Sequence, residues 1–445
     1  MGQLSRELAF VERVRRRVRL WVPLCLLLGL IQAPLPGQEI PSELDLPTAV
    51  RLALENHPAL KASDAIVSGS EGLIEQGSLR PNPIFTVQTE NWRFGGDPSF
   101  HVGKDLDLFA YVAQPFELGG KRERRVELAE QDKSVAQLRR LELEWQIRQS
   151  VRRAFWEAYL AQREFELLQE NAQVFDQITR YHEARVREGA MAEADLIRVR
   201  LEEDRLQLTR EEAAARADRA RMDLIRAMGG GLFATDFTLT GTPLTSLPQQ
   251  GISTAELRSR VLQSRPDLQS AEAEVERARR RVRLELAQAR PDWDLIFGYK
   301  RTEGFNTVLA GISIPMPFFD RNQGNVMFSQ SEVDRADALL RERQRRAQTE
   351  VEAALAALSR RAAMLRRIEE GMLQRAEESW QISLAAYQEG ATDLLRLLDA
   401  QQSRNEVRLL RIRTGLELQL SLVELEEAVG AENLAIGLET VGVQP

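Results

Sequence analysis

His57, His101 and His182 are the only histidines in the 445-residue chain, and they lie far apart with no ligand spacing. No metal site is therefore expected. The single cysteine, Cys25, falls in a segment expected to be removed, so the mature chain offers neither a disulfide nor a thiolate. Carboxylates are plentiful, with 67 Asp and Glu against 60 Lys and Arg. They are spread along helical patterns, where solvation and i,i+4 pairing with arginine are the default. No Ser/His/Asp order, glycine-rich phosphate loop or paired carboxylate in a cleft pattern occurs. The expectation is no catalytic residue, no cofactor and no enzyme. A net charge of −7 also leaves no basic footprint for nucleic acid.

The residues that stand out by spacing come in pairs. Glu188-Gly189-Ala190 returns as Glu389-Gly390-Ala391, a shift of 201 residues. Pro115-Phe116 returns as Pro317-Phe318, shifted by 202, and Pro58 and Leu60 return as Pro266 and Leu268, shifted by 208. Three landmarks in the same order point to a duplicated unit of about 200 residues, far longer than a solenoid repeat. By the same shift Gly189 matches Gly390, Asp195 matches Arg396 and Leu196 matches Leu397. Each glycine stands where a long helix must reverse into a shorter one, and glycine permits the tight reversal.

The elements that hold these positions follow from punctuation and period. Charged residues make up 29% of the chain and aromatics 6%, and long stretches are built from Ala, Glu, Arg, Leu and Gln. That is the composition of long helices and coiled coils. In the first repeat a helix is predicted from Leu46 to about Arg80, stopped by Pro81 and Pro83. Two extended segments follow, Ile84 to Phe94 and Asp107 to Gln114, with the turn-rich Gly95-Gly96-Asp97-Pro98 between them. After Gly119-Gly120 a helical pattern runs without proline or glycine from Lys121 to Glu188, on the order of 100 Å at 1.5 Å per residue. A half-length helix from Ala192 to Met228 ends at Gly229-Gly230-Gly231.

The second repeat restates the scheme. A helix is predicted from Thr254 to about Arg290. In the following strand Trp293, Leu295, Phe297 and Tyr299 alternate with Asp292, Asp294, Gly298 and Lys300. Thr307 to Ile314 alternates likewise. A long helix from about Asn325 to Glu389 carries Val351, Leu355, Leu358, Ala362 and Leu365 at 4-3-4-3 spacing. A half-length helix from Asp393 to Val429 follows. Two short helices end to end equal one long one, so four columns side by side are expected to bury every apolar stripe. The domain boundaries are 38–231 for the first repeat, 232–252 for a linker, 253–430 for the second repeat and 431–445 for a tail. Residues 1–37 read as a secretory signal peptide, with five arginines from Arg13 to Arg19 before the apolar run Leu20 to Ile31. An uncleaved anchor helix is the alternative, and a lipoprotein through Cys25 is a weaker one, since Leu26, Leu27 and Leu28 place that cysteine inside the apolar run.

Four strands of about 8–11 residues suit a tilted crossing of a bilayer. Trp293, Leu295, Phe297 and Tyr299 would face lipid, and the polar face water. Four strands cannot close a barrel, and an open edge in lipid leaves backbone groups unpaired. If the strands lie in a membrane, other copies must complete them. Three copies give twelve strands and a wider lumen than two. The alternative is a periplasmic coiled-coil scaffold with a small soluble sheet and no pore.

With these residues in hand, the chain resembles the TolC family of outer-membrane efflux ducts across essentially the whole mature length. The resemblance rests on the helix opening Thr48-Ala49-Val50-Arg51-Leu52-Ala53-Leu54-Glu55-Asn56-His57-Pro58-Ala59-Leu60. It rests also on the strand exits Gln114-Pro115-Phe116-Glu117-Leu118-Gly119-Gly120 and Ile314-Pro315-Met316-Pro317-Phe318-Phe319-Asp320, and on the two Glu-Gly-Ala turns. The wording of these motifs is closest to the heavy-metal branch of CzcC-like and CusC-like ducts. The resemblance implies a mostly α protein with a small β part. Its duplicated unit of coiled-coil helices gives two β-hairpins to a trimeric 12-stranded barrel in the outer membrane, above a helical tunnel through the periplasm. It implies a passive duct with no energy source, a periplasmic adaptor, and an inner-membrane pump of the resistance-nodulation-division type. Gly189, Asp195, Leu196, Gly390 and Leu397 would then sit at the periplasmic tip, at grooves for the adaptor. Asp399 matches one of the acidic residues the family points into the tunnel mouth, while Arg396 stands where a second would often be.

Overall fold

A computed structural model describes residues 40–94, 100–189, 191–231, 237–244, 254–432 and 434. The predicted signal peptide 1–37, the predicted turn at 95–98, most of the predicted linker and the predicted tail from 435 onward lie outside these residues. The first repeat contains β1 (Glu43–Asp45), α1 (Leu46–Asn56), α2 (Pro58–Ser78), β2 (Ile84–Glu90), the single-turn α3 (Val102–Asp105), β3 (Asp107–Phe116), α4 (Lys121–Arg187) and α5 (Glu193–Ala227). After β4 (Thr238–Thr240), the second repeat contains α6 (Thr254–Ser264), α7 (Pro266–Gln288), β5 (Trp293–Thr302), β6 (Phe305–Ser313), α8 (Gln323–Arg367), α9 (Leu373–Gln388) and α10 (Leu394–Val429).

Two predicted helices are each broken once, for one physical reason. The ring of Pro58 pushes His57 out of the helical region to φ −61°, ψ 120°, and Pro266 does the same to Arg265 at φ −72°, ψ 119°. His57 then caps the new helix, its Nδ1 accepting from the Ala59 N–H at 3.2 Å. Each break is seated against a glycine that ends the last helix of its repeat. A Cβ on Gly229 would lie 3.0 Å from the His57 Cα, and one on Gly430 2.9 Å from the Arg265 Cα. The duplication therefore extends to backbone contacts. Burial opposes the charge of the Arg265 guanidinium, but hydrogen bonds and ion pairs to Asp267 and Glu350 more than offset it and hold the pKa well above the ordinary arginine value.

Two further differences concern the long elements. The predicted helix from Asn325 to Glu389 is interrupted by one π-helical turn, Ile368–Met372, between α8 and α9. The predicted linker contains β4, which pairs in parallel with β1, Leu44 opposite Leu239. That pairing ties the start of the described chain to the end of the first repeat, above a core that includes Phe155, Trp156, Leu224, Met228 and Phe237.

The helices form two stacked rows. Nearer the sheet the packing order is α2, α4, α7, α8; farther away it is α5, α4, α10 and then α8 with α9. The inner columns of each row are covered on both sides. The outer ones keep apolar residues in solvent, which corrects the expectation that four columns bury every stripe. Ile66 and Leu73 stay exposed on α2, and Ile197, Leu201 and Leu208 on α5. Met327 and Phe328 stay exposed on α8, and Ile382 on α9.

Candidate functional site

The four main strands join into one antiparallel sheet in the order β2, β3, β5, β6. Its register decides which side chains share a face. Phe297 lies opposite Val112 on one side and Ala310 on the other, and Val112 lies opposite Phe85. One face therefore carries Phe85, Val87, Val112, Leu295, Phe297, Tyr299, Val308 and Ile312, all exposed. Trp293 shares that face but is half-buried, because its ring stacks on Phe116 at 4.7 Å and 15°. The other face mixes Thr86, Gln88, Glu90, Asp294, Lys300, Thr307 and Ser313 with a few apolar residues. Of this apolar band the sequence reading singled out the four residues on β5. The contribution of β2 and β3 was missed, because alternation there is weaker and register is a tertiary fact.

At the far end of the helices, both predicted glycines take the left-handed conformation, Gly189 at φ 70° and Gly390 at φ 74°. The Gly390 N–H donates to the Tyr387 carbonyl at 3.1 Å, and the Ala391 N–H donates to Ala386 at 2.8 Å, closing the last turn of α9. No atom lies within 4 Å of a Cβ built at either glycine, so φ alone demands the residue type. Asp393 then caps α10, accepting from the Arg396 N–H at 3.0 Å.

The paired positions after the turns part company. Leu196 and Leu397 are 7% and 3% exposed, packed inside the chain beside a small core of Phe175, Val199, Leu394 and Leu398. They shape the turns from within and present little surface to a partner. Asp195 is half-buried, and Arg396 and Asp399 are exposed one turn apart on α10.

His182, which has no metal-ligand neighbours, has a different setting. It is 1% exposed, with Nδ1 2.7 Å from the Ile178 carbonyl and Nε2 2.8 Å from the Tyr387 hydroxyl. Its ring stacks on Tyr387 at 5.8 Å, so α4 and α9 are joined one to two turns before their reversals. Burial raises the pKa of the Tyr387 phenol, which keeps its proton available to the imidazole. Removing that hydroxyl with Tyr387→Phe leaves the buried imidazole nitrogen unpaired. The expected cost is about 1–3 kcal/mol, read as faster proteolysis of the helix ends with the sheet unaffected. Among the described residues no three His, Cys, Asp or Glu side chains gather to hold a metal ion, and no helix is long and apolar enough to cross a membrane.

Known proteins match both halves of this arrangement. The family model described as outer membrane efflux protein matches residues 49–230 and 257–431, the two repeats. The cobalt-zinc-cadmium resistance protein CzcC of Cupriavidus metallidurans is 27% identical over 384 residues, covering 86% of this chain and 88% of that protein. The crystal structure of CusC, described there in terms of transmembrane channel formation, superposes with a TM-score of 0.71 at 16% identity, covering 87% of this chain and 92% of that one. The outer membrane protein VceC of Vibrio cholerae gives a TM-score of 0.69 at 18% identity, covering 87% and 96%. The matched model spans both repeats, and the chain belongs to the outer membrane efflux protein family.

Proposed function

We propose that this chain is the outer-membrane channel of a tripartite efflux system, a passive duct that three copies build together. The observation that carries the reading is the sheet. Its apolar face is exposed, and among the described residues its outer strands β2 and β6 each have one unpaired edge. An unpaired edge in hydrocarbon costs several kcal/mol per backbone group, so the sheet is stable in a bilayer only when closed by further strands. Three copies supply twelve. The apolar stripes left on the outer helix columns support the same closure, because α2 and α8, like α5 and α9, would meet their counterparts on neighbouring copies. The helix rows then enclose a periplasmic tunnel on the order of 100 Å long.

The duct has no catalytic machinery in this reading. A periplasmic adaptor docks at the Gly189 and Gly390 turns, and an inner-membrane pump of the resistance-nodulation-division type supplies the energy. Leu196 and Leu397 fix the turn shape, while the neighbouring exposed Ile197, Leu201 and Leu395 provide apolar contact area. Similarity to CzcC supports a divalent heavy-metal cation as cargo. Fractionation tests the reading. The protein is expected in the outer membrane as a heat-sensitive trimer in mild detergent, with metal tolerance falling when its gene is deleted. Release as a soluble periplasmic monomer favours the coiled-coil scaffold instead.

Asp399 is the proposed gate residue, exposed on α10 near the narrow end. Three copies would place a ring of carboxylates there, an attraction of a few kcal/mol for a divalent cation. Asp399→Asn is expected to weaken cation block about tenfold in planar bilayers, equivalent to roughly 1.4 kcal/mol. Unchanged block and conductance return Asp399 to an ordinary solvated helix charge.

A further inference from the structure

Resting on the three-copy reading above, we infer the register and the contact by which one copy's β6 joins the next copy's β2: Phe318 stacks on Phe85 of the neighbour, inside an apolar joint that replaces a charged one. The template is within the chain. The hairpin pair Thr86–Tyr111 maps onto the pair Asp294–Ser313 when β2 is shifted by 208 residues and β3 by 202. The shift of 208 is also that of the Pro58 and Pro266 breaks. The shift of 202 also carries Gly120, a left-handed N-cap at φ 74°, onto Asn322, a left-handed N-cap at φ 60°. The two repeats are thus equivalent through the strands and into the long helices.

Inside one copy the repeats meet where β3 pairs with β5, Phe116 opposite Trp293. Applying the same shifts to that joint places Phe318 opposite Phe85 of the next copy, with Met316 opposite Val87. The segment 314–318 is the counterpart of 112–116, which lies within β3, yet β6 ends at Ser313. Its Ile314, Met316 and Phe318 are exposed, as the counterpart of a strand segment must be when its pairing strand belongs to another molecule.

The chemistry of the two joints changes in concert. Within the chain, Glu117 pairs with Arg125, and Lys121 reaches Asp292 at 2.7 Å. The counterparts of Glu117, Arg125 and Asp292 are Phe319, Met327 and Ile84. Phe319 is 94% exposed and Met327 71% in the single chain. Three of these four charged positions become apolar, one just after β6, one on the first turns of α8 and one at the start of β2, while the fourth, Lys121, becomes the uncharged Gln323. A lipid surface would meet the outer face alone and gives no reason for that matched exchange, whereas a second copy does.

Cysteine pairs test the register, because a disulfide needs Cα atoms closer than about 7 Å and directly opposed strand positions provide it. In a Cys25→Ser background, Phe85→Cys/Phe318→Cys and the adjacent Val87→Cys/Met316→Cys are each expected to link most of the chain into covalent trimers on oxidation. Phe85→Cys/Ile312→Cys is expected to stay unlinked. Trimers of full mass in detergent that link through 85/312, or through neither of the first two pairs, overturn the contact and leave the three-copy reading standing. A chain that stays monomeric in detergent overturns both.

Discussion

Gly298→Val is expected to remove the assembled outer-membrane form almost completely, whereas Gly311→Val leaves it nearly intact. Both glycines lie in the same sheet, so the contrast isolates local geometry from glycine content. Gly298 occupies the middle of β5, which is paired on both sides, opposite Tyr111 and Leu309. A Cβ added there would lie 2.3 Å from the Tyr111 Cβ and 2.4 Å from the Ala110 carbonyl oxygen. No rotamer relieves a clash with backbone, so β3 and β5 must separate. That ladder is the seam between the two repeats, and the sheet opens at its centre. A Cβ on Gly311 meets nothing within 4 Å. Overpacking costs typically about 1–3 kcal/mol and more where backbone must move. At least a roughly tenfold loss of heat-sensitive trimer in the outer-membrane fraction is therefore expected for Gly298→Val. Adding Tyr111→Ala does not rescue it, because the Ala110 carbonyl is as close as the tyrosine.

The parts of this fold legible in the sequence were those written locally. The hairpins are bounded by Pro81, Pro83, Pro291 and Pro315, the first long helix by its lack of glycine and proline and the second by its 4-3-4-3 apolar spacing, so their placement holds to within a few residues. The breaks at His57 and Arg265 have their cause in Pro58 and Pro266, but the apolar period continues across both prolines and masks them. The π-turn at Ile368–Met372 left no signal, since Glu-Glu-Gly inside a helical pattern fits either geometry. Strand β4 is three residues long, and its partner lies about 195 residues earlier. Such a pairing is tertiary and invisible to any window.

At the helix turns the lesson is different. Leu196 and Leu397 recur at matched positions because both fill the chain's own interior, so recurrence marked a structural duty shared by two repeats. His182 has no metal-ligand neighbours in the sequence, and its side-chain partner, Tyr387, is 205 residues away. The residues that distinguish the repeats carry more about assembly than those that unite them. Glu117 against Phe319 is the clearest case, for the same repeat position is a carboxylate paired with Arg125 within the chain and an exposed aromatic ring at its edge.

Arg152→Ala is expected to destabilise the chain by about 3–5 kcal/mol, the cost of breaking a buried ion pair and leaving one charge behind. Arg152 on α4 pairs with Glu426 on α10, and the two are 8% and 1% exposed. Glu426 accepts a second bond from the Leu434 N–H at 3.1 Å, so it also fixes the chain beyond α10. Around them lie Val151, Phe155 and Val423, all fully buried, which leaves the Glu426 carboxylate little access to water once the guanidinium is gone. Arg153 and Glu427 form the adjoining pair at 2.6 Å, yet both are about half exposed, so Arg153→Ala is expected to cost under about 1 kcal/mol. The comparison of Arg152 with Arg153 holds helix and charge type constant, and burial is the largest difference between the two pairs. Replacing both buried partners, Arg152→Met with Glu426→Leu, is expected to recover only part of the loss, because the buried charges go together but the Leu434 N–H loses its acceptor. Denaturant unfolding of Arg152→Met, Glu426→Leu and the double replacement against the parent chain measures the coupling directly. Equal costs for Arg152→Ala and Arg153→Ala would show that water reaches the first pair and that α4 and α10 are held at this level by their apolar contacts.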